Sequence, residues 1–223
     1  MRKTTRSKIQ LCLISFGVII GIVGILHGIP EILQGSSLVE SHSVKALPEN
    51  WPNQELFTVL NGQPAYSMLT GIPFYLLGIL AIAVSTALII HCVFFLERKN
   101  GLLMFALLNV GVALLGAGVG TPLIMGIPLV IFGIIANRYP RKKERRESTD
   151  QLNLLLFRIF YALQIASWVL FFPGFVIISS FGKIPEAVFM IDFMIMPISI
   201  LGALIFGLRY EHTAHPQKDQ ALA

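Results

Sequence analysis

Residues 9–29, IQLCLISFGVIIGIVGILHGI, decide the fold. As an α-helix this stretch rises about 30 Å, which matches the hydrocarbon thickness of a bilayer. Arg2, Lys3, Arg6 and Lys8 stand immediately before it. A secretory signal has the same order of charge and apolar residues, but its apolar core is usually only about 7–15 residues long and a small-residue cleavage site follows. Here the run is longer and no A-x-A-like site comes after it. It reads as an uncleaved first transmembrane helix.

Five more apolar runs follow, at about 69–96, 102–118, 122–137, 154–181 and 187–208. Hydrophobic residues make up 55% of the chain and charged ones 13%, against about 45–50% and about 25% in ordinary globular proteins. A soluble core of 223 residues cannot hide that much apolar surface, so lipid is the expected solvent. The expected fold is all-α: one domain, residues 1–223, forming an integral bundle of six transmembrane helices. The third and fourth runs are short and make a hairpin that either crosses the bilayer or re-enters on one side.

Charge sets the expected orientation. With the N-terminus inside and six crossings, 15 of the 17 lysines and arginines lie on the inner face, leaving Lys45 and Lys183 outside. That asymmetry is the positive-inside pattern, and it predicts that the C-terminus is also inside. The net charge of +5 therefore reflects topology rather than a nucleic-acid partner. The cluster Arg141, Lys142, Lys143, Arg145 and Arg146 sits in a cytoplasmic loop at about 138–153, where it can meet anionic lipid. The loop at about 30–68 faces outside and carries Glu31, Glu40, Glu49 and Glu55 against Lys45. Asn53 can cap a short helix through Leu60, stopped by Asn61-Gly62. That segment would lie on the membrane or over the bundle; the alternative is an ordinary ordered loop.

Helices in lipid associate through small residues that let backbones approach. Gly17, Gly21, Gly24 and Gly28 form such a stripe on the first helix. Gly71, Gly78, Ala81 and Ser85 are its expected counterpart on the second, and Ser199, Ala203 and Gly207 on the sixth. Pro128, Pro173 and Pro197 are expected to kink their helices. Cys12 and Cys92 fall in the inner halves of their helices, away from an oxidising compartment, and read as free thiols.

Ionisable side chains inside a membrane are costly and mark functional candidates. His27, Glu31 and Gln34 step by four and three, so they share one face if the helix continues past Pro30. Asp192 lies at a similar outer depth in the sixth run, with Glu186 just above it. Together these residues form the candidate outer-leaflet polar site, suited to a divalent cation or a proton relay, or else to plain structural hydrogen bonding. His91 and Arg158 read as interfacial, and Asn109 and Gln164 as interhelical hydrogen-bond donors. No G-x-S-x-G, H-E-x-x-H, Walker lysine loop or G-x-G-x-x-G occurs. No catalytic residue or cofactor is expected, and the metal question stays open.

The segment 27–35, HGIPEILQG, with Thr70-Gly71-Ile72-Pro73 and the glycine-rich third run, is similar to a group of bacterial multi-pass membrane proteins of uncharacterised activity. The resemblance covers about residues 20–137. It implies a bacterial inner membrane and brings no activity with it. The leading expectation is a small transporter or a membrane-complex subunit with an outer-facing polar pocket. Its partners would be membrane lipid and a protein partner or a second copy. The rival readings are a membrane-embedded enzyme or metal-binding protein at the outer leaflet, and a structural or sensing partner.

Overall fold

A computed structural model describes residues 6–40, 43–44, 65–66, 68–115, 120–138, 147–170 and 186–213. Among them are six helices: α1 (Lys8–Leu33), α2 (Phe74–Phe94), α3 (Gly101–Leu114), α4 (Gly120–Arg138), α5 (Glu147–Val169) and α6 (Glu186–Thr213). Four have stretches long and apolar enough to cross a membrane, in α1, α2, α5 and α6. The exposed faces are themselves apolar, with Phe94, Leu103, Ile191, Met194 and Ile198 all turned outward. Such surfaces suit hydrocarbon, which removes the cost they would carry in water.

The first helix begins on a reciprocal cap. Ser7 Oγ accepts from the Gln10 backbone N–H at 3.1 Å, and Gln10 Oε1 accepts from the Ser7 N–H at 2.7 Å. These bonds satisfy donors that no helical carbonyl can reach. The helix runs through Pro30 and ends at Leu33. Gly35 follows at φ +72°, a left-handed conformation that costs glycine little and stops the helix. The outgoing chain then pairs with the chain returning to α2. Val39 donates to Ile72 O at 3.0 Å and Gly71 donates to Val39 O at 2.9 Å. A two-residue antiparallel ladder of β1 (Ser43–Val44) with β2 (Ala65–Tyr66) extends this stem within an otherwise all-helical fold. The expected helix of residues 53–60 lies outside the described residues.

The helices pack as three antiparallel hairpins. In the first, Gly28 of α1 abuts Gly78 of α2, Gly21 abuts Ser85 and Ile89, and Gly17 abuts Cys92. Gly24 is buried on the same side. Gly71 does not belong to this interface: it sits before α2 at φ +75° with open space around it. Pro73 takes the N-cap, so the helix begins at Phe74. In the second hairpin Leu102 of α3 lies against Gly133 of α4, and Asn109 lies beside Gly126. In the third, Phe160 of α5 fills the space over Gly202 of α6, and Phe157 lies over Gly207.

At the centre α1 touches all five other helices. Phe16, fully buried, meets Phe105 of α3 at 6.5 Å between ring centroids and Trp168 of α5 edge-on at 6.2 Å. Pro128 and Pro197 both lie inside helices, α4 and α6, while Pro173 falls outside the described residues. The fifth helix starts at Glu147, about two turns before its apolar run, so the expected loop at 138–153 is shorter. The sixth continues to Thr213. Helix geometry does not stop where hydropathy drops, because polar residues such as Glu and Gln are good helix formers.

The two ends of the bundle differ in charge. The Arg6 guanidinium donates to Val93 O at 2.7 Å and pairs with Glu97 at 3.5 Å. The Lys8 backbone N–H donates to Glu211, and its ammonium lies over Phe157 and Tyr210. The start of α1 therefore meets the ends of α2 and α6. Arg6, Lys8, Arg98, Lys99, Arg158 and Arg209 all belong to this end. The opposite end holds the Gly28–Gly78 contact and a separate apolar cluster of Val39, Phe74, Leu77, Ala81 and Leu115.

Candidate functional site

The glycine contact at the far end of α1 creates the setting for the ionisable groups. Gly28 and Gly78 allow the α1 and α2 backbones to touch, which leaves no room for solvent along that line. Glu31 lies one turn after Gly28 and is only 4% exposed. Because the helix persists through Pro30, His27 and Glu31 stand at i and i+4 on one face. Their side chains meet: His27 Nε2 lies 3.3 Å from Glu31 Oε1.

Half of the Glu31 carboxylate remains unused. Its Oε2 is buried with no hydrogen-bond partner. A carboxylate oxygen in that condition costs free energy until a donor or cation reaches it. His27 is a quarter exposed, with Glu31 behind it, so the approach to the pair passes the imidazole. Gln34 sits at the C-cap of α1, where its backbone N–H reaches Glu31 O and Pro30 O at 3.1 and 3.2 Å.

Asp192 is engaged elsewhere. It is buried at 4% exposure on α6, and its carboxyl is hydrogen-bonded by the Ser167 side chain of α5. It makes no ion pair with His27, whose partner is Glu31. Among the described residues no group of three His, Cys, Asp or Glu side chains is arranged to hold a metal ion. The Glu186 side chain is outside the described residues, although its backbone opens α6.

The other polar candidates find distinct roles. His91 Nε2 lies 2.9 Å from Gly101 O, and its ring stacks on Phe95, which ties the end of α2 to the start of α3. Asn109 does not bond across helices. Its Nδ2 donates to Phe105 O of its own helix at 2.8 Å, and its Oδ1 has no partner beside Gly126. Arg158 is exposed, and Cys12 and Cys92 are free and buried. Gln164 is fully buried with neither amide atom bonded. Trp168, four residues further along α5, buries an unpartnered Nε1. The i, i+4 spacing of Gln164 and Trp168 was the available sequence signal, since two polar-tipped side chains on one helix face are seldom both turned to lipid.

No protein-family model, curated protein or solved structure matches this chain.

Proposed function

We propose that this chain is a multi-pass inner-membrane protein, bacterial in origin, acting as a small transporter or a membrane-complex subunit through an outer-facing polar pocket at His27 and Glu31. The topology has six spans with both termini in the cytoplasm. The basic end of the bundle then faces inward, as the positive-inside pattern requires. What supports a crossing of the third and fourth helices over a re-entrant hairpin is the placing of the ends of α3: it starts beside Leu96 at the basic end, and Leu115 just beyond it joins the cluster of Phe74 and Leu77 at the other.

The observation that carries the functional reading is the unpartnered Glu31 Oε2 behind a quarter-exposed imidazole. A buried carboxylate with one oxygen held and one oxygen free is an acceptor prepared for an incoming donor or cation. A free acceptor oxygen beside an imidazole suits the binding of a single donor or cation. The test is native mass spectrometry of the purified protein with elemental analysis, comparing the parent with Glu31→Gln. A bound species present in the parent and lost from the variant supports the pocket. An identical spectrum for both proteins, in lipid extracts from outer-leaflet vesicles as well as detergent, removes it.

A further inference from the structure

A second polar locus lies inside the bundle, away from the His27–Glu31 pair. On α5, Gln164, Ser167 and Trp168 occupy i, i+3 and i+4, one face of the helix, with Cβ atoms about 5–6 Å apart. That face is buried: Gln164 is 0% exposed, Ser167 5% and Trp168 3%. Ser167 binds the Asp192 carboxyl across the α5–α6 contact. Trp168 meets α1 at Phe16, eleven residues and about 16 Å of helix rise before His27.

What distinguishes this set is how much of its hydrogen-bonding capacity is unmet. Both amide atoms of Gln164, the indole Nε1 of Trp168 and Oδ2 of Asp192 are buried without partners. Gln164 brings two N–H donors and a carbonyl acceptor, Trp168 brings one donor, and the carboxyl oxygen is an acceptor. Each unmet buried group carries an uncompensated desolvation cost, and none of the four atoms has a hydrogen-bond partner. A cation alone answers the two acceptors and leaves the indole and amide donors facing it. An anion alone does the reverse, beside a carboxylate. Only a guest that both donates and accepts satisfies all four.

We infer that Gln164, Ser167, Trp168 and Asp192 form an internal binding site for a small protic guest, either water or a polar solute with the same donor-and-acceptor chemistry. Trp168 and the Gln164 amide donate to the guest, which donates in turn to Gln164 Oε1 and Asp192 Oδ2. Ser167 holds the Asp192 carboxyl, whose Oδ2 has no partner within the protein. Water in such a site typically takes about three hydrogen bonds, and four unmet side-chain positions provide them. The inference stands on α5 and α6 and does not depend on the outer pair.

The test uses the full-length protein in lipid with ¹⁵N-indole tryptophan in a Trp51→Phe background, so that Trp168 is the single reporter. Water-edited solid-state NMR reads whether the Trp168 indole N–H draws polarisation from water. Build-up as fast as that of solvent-exposed amides, lost in Gln164→Leu, identifies water. A slow build-up accompanied by a small-molecule adduct in native mass spectrometry, again lost in Gln164→Leu, identifies a solute. If Gln164→Leu does not fold, Asp192→Leu serves as the second variant. An indole that builds up no faster than core amides, in a protein without an adduct, overturns the proposal.

Discussion

The contact between Gly28 and Gly78 gives the sharpest test of how the bundle is held. A Cβ added at Gly28 would lie 2.7 Å from the backbone oxygen of Gly78 and 2.8 Å from Ile82 Cγ1. Real Cβ atoms do not approach backbone that closely, and a carbonyl oxygen cannot swing aside as a side chain can. Restoring an ordinary contact of about 3.4 Å requires α1 and α2 to part by about 0.7 Å here, and that separation loosens close contacts on both sides. Overpacking of this kind costs about 1–3 kcal/mol. Against it stands the higher intrinsic helix propensity of alanine, about 1 kcal/mol.

The control is Gly126→Ala. Its added Cβ would meet nothing nearer than Asn109, at 3.8 Å, so the propensity gain remains without the clash. Gly28→Ala should therefore be less stable than Gly126→Ala by about 1–3 kcal/mol, read by reversible unfolding of the purified protein in mixed micelles. The reciprocal variant Gly78→Ala, whose Cβ would fall 2.9 Å from Ile32 N, should lose a similar amount. Gly21→Leu should lose the monodisperse species altogether, because Ser85 O lies 2.9 Å from its Cβ position. If Gly28→Ala and Gly78→Ala unfold together with Gly126→Ala, the stripe faces lipid and the described α1–α2 contact is wrong.

Three further outcomes are expected. Cysteines placed at Lys45 and Lys142 should react with an impermeant thiol reagent from opposite sides of the membrane; labelling from the same side refutes the six-span topology. His27→Ala strands a buried carboxylate and should cost about 1–3 kcal/mol, whereas His27→Leu combined with Glu31→Leu should cost less than the two single changes summed, as a double-mutant cycle will show. Ser7→Ala removes the acceptor for the Gln10 N–H and should cost about 1 kcal/mol, with helix fraying visible as faster amide exchange in residues 8–11 and unchanged exchange in α5.

The helices were legible because hydropathy and small-residue spacing act locally. The stripe of Gly17, Gly21, Gly24 and Gly28 needs only the helical period to be seen, and the structure turns it onto α2. Gly71 was drawn into the partner stripe by its spacing from Gly78, although Pro73 lies between them. Proline favours the first positions of a helix, so Gly71-Ile72-Pro73 describes an entry to α2 rather than its first turn. The start of α5 was missed for a different reason. Apolar content marks the run from 154 onward, and Glu147 to Gln151 extend the helix ahead of it. The β1–β2 ladder gave no signal, because two paired residues carry no period.

Within the polar sites, what could be read depended on whether the partners share a helix. His27 and Glu31 are bound to meet once α1 continues through Pro30, because a four-residue step fixes both depth and direction. Asp192 was expected at the same depth as them, but depth alone leaves its direction around α6 undetermined. Packing of α5 against α6, through Phe160 over Gly202 and Phe157 over Gly207, aims Asp192 at Ser167. The consequence is a division of the polar groups into two kinds. The His27–Glu31 pair satisfies half of its own need, and its remaining oxygen is buried behind a quarter-exposed imidazole. The inner set, on a helix face that meets α1 at Phe16, cannot satisfy itself, and its donors and acceptors are shut away from bulk water. A membrane protein retains such groups against a cost of several kcal/mol only where something else completes their bonds, so the interior of this bundle, and not only the His27–Glu31 end, is where a ligand should be sought.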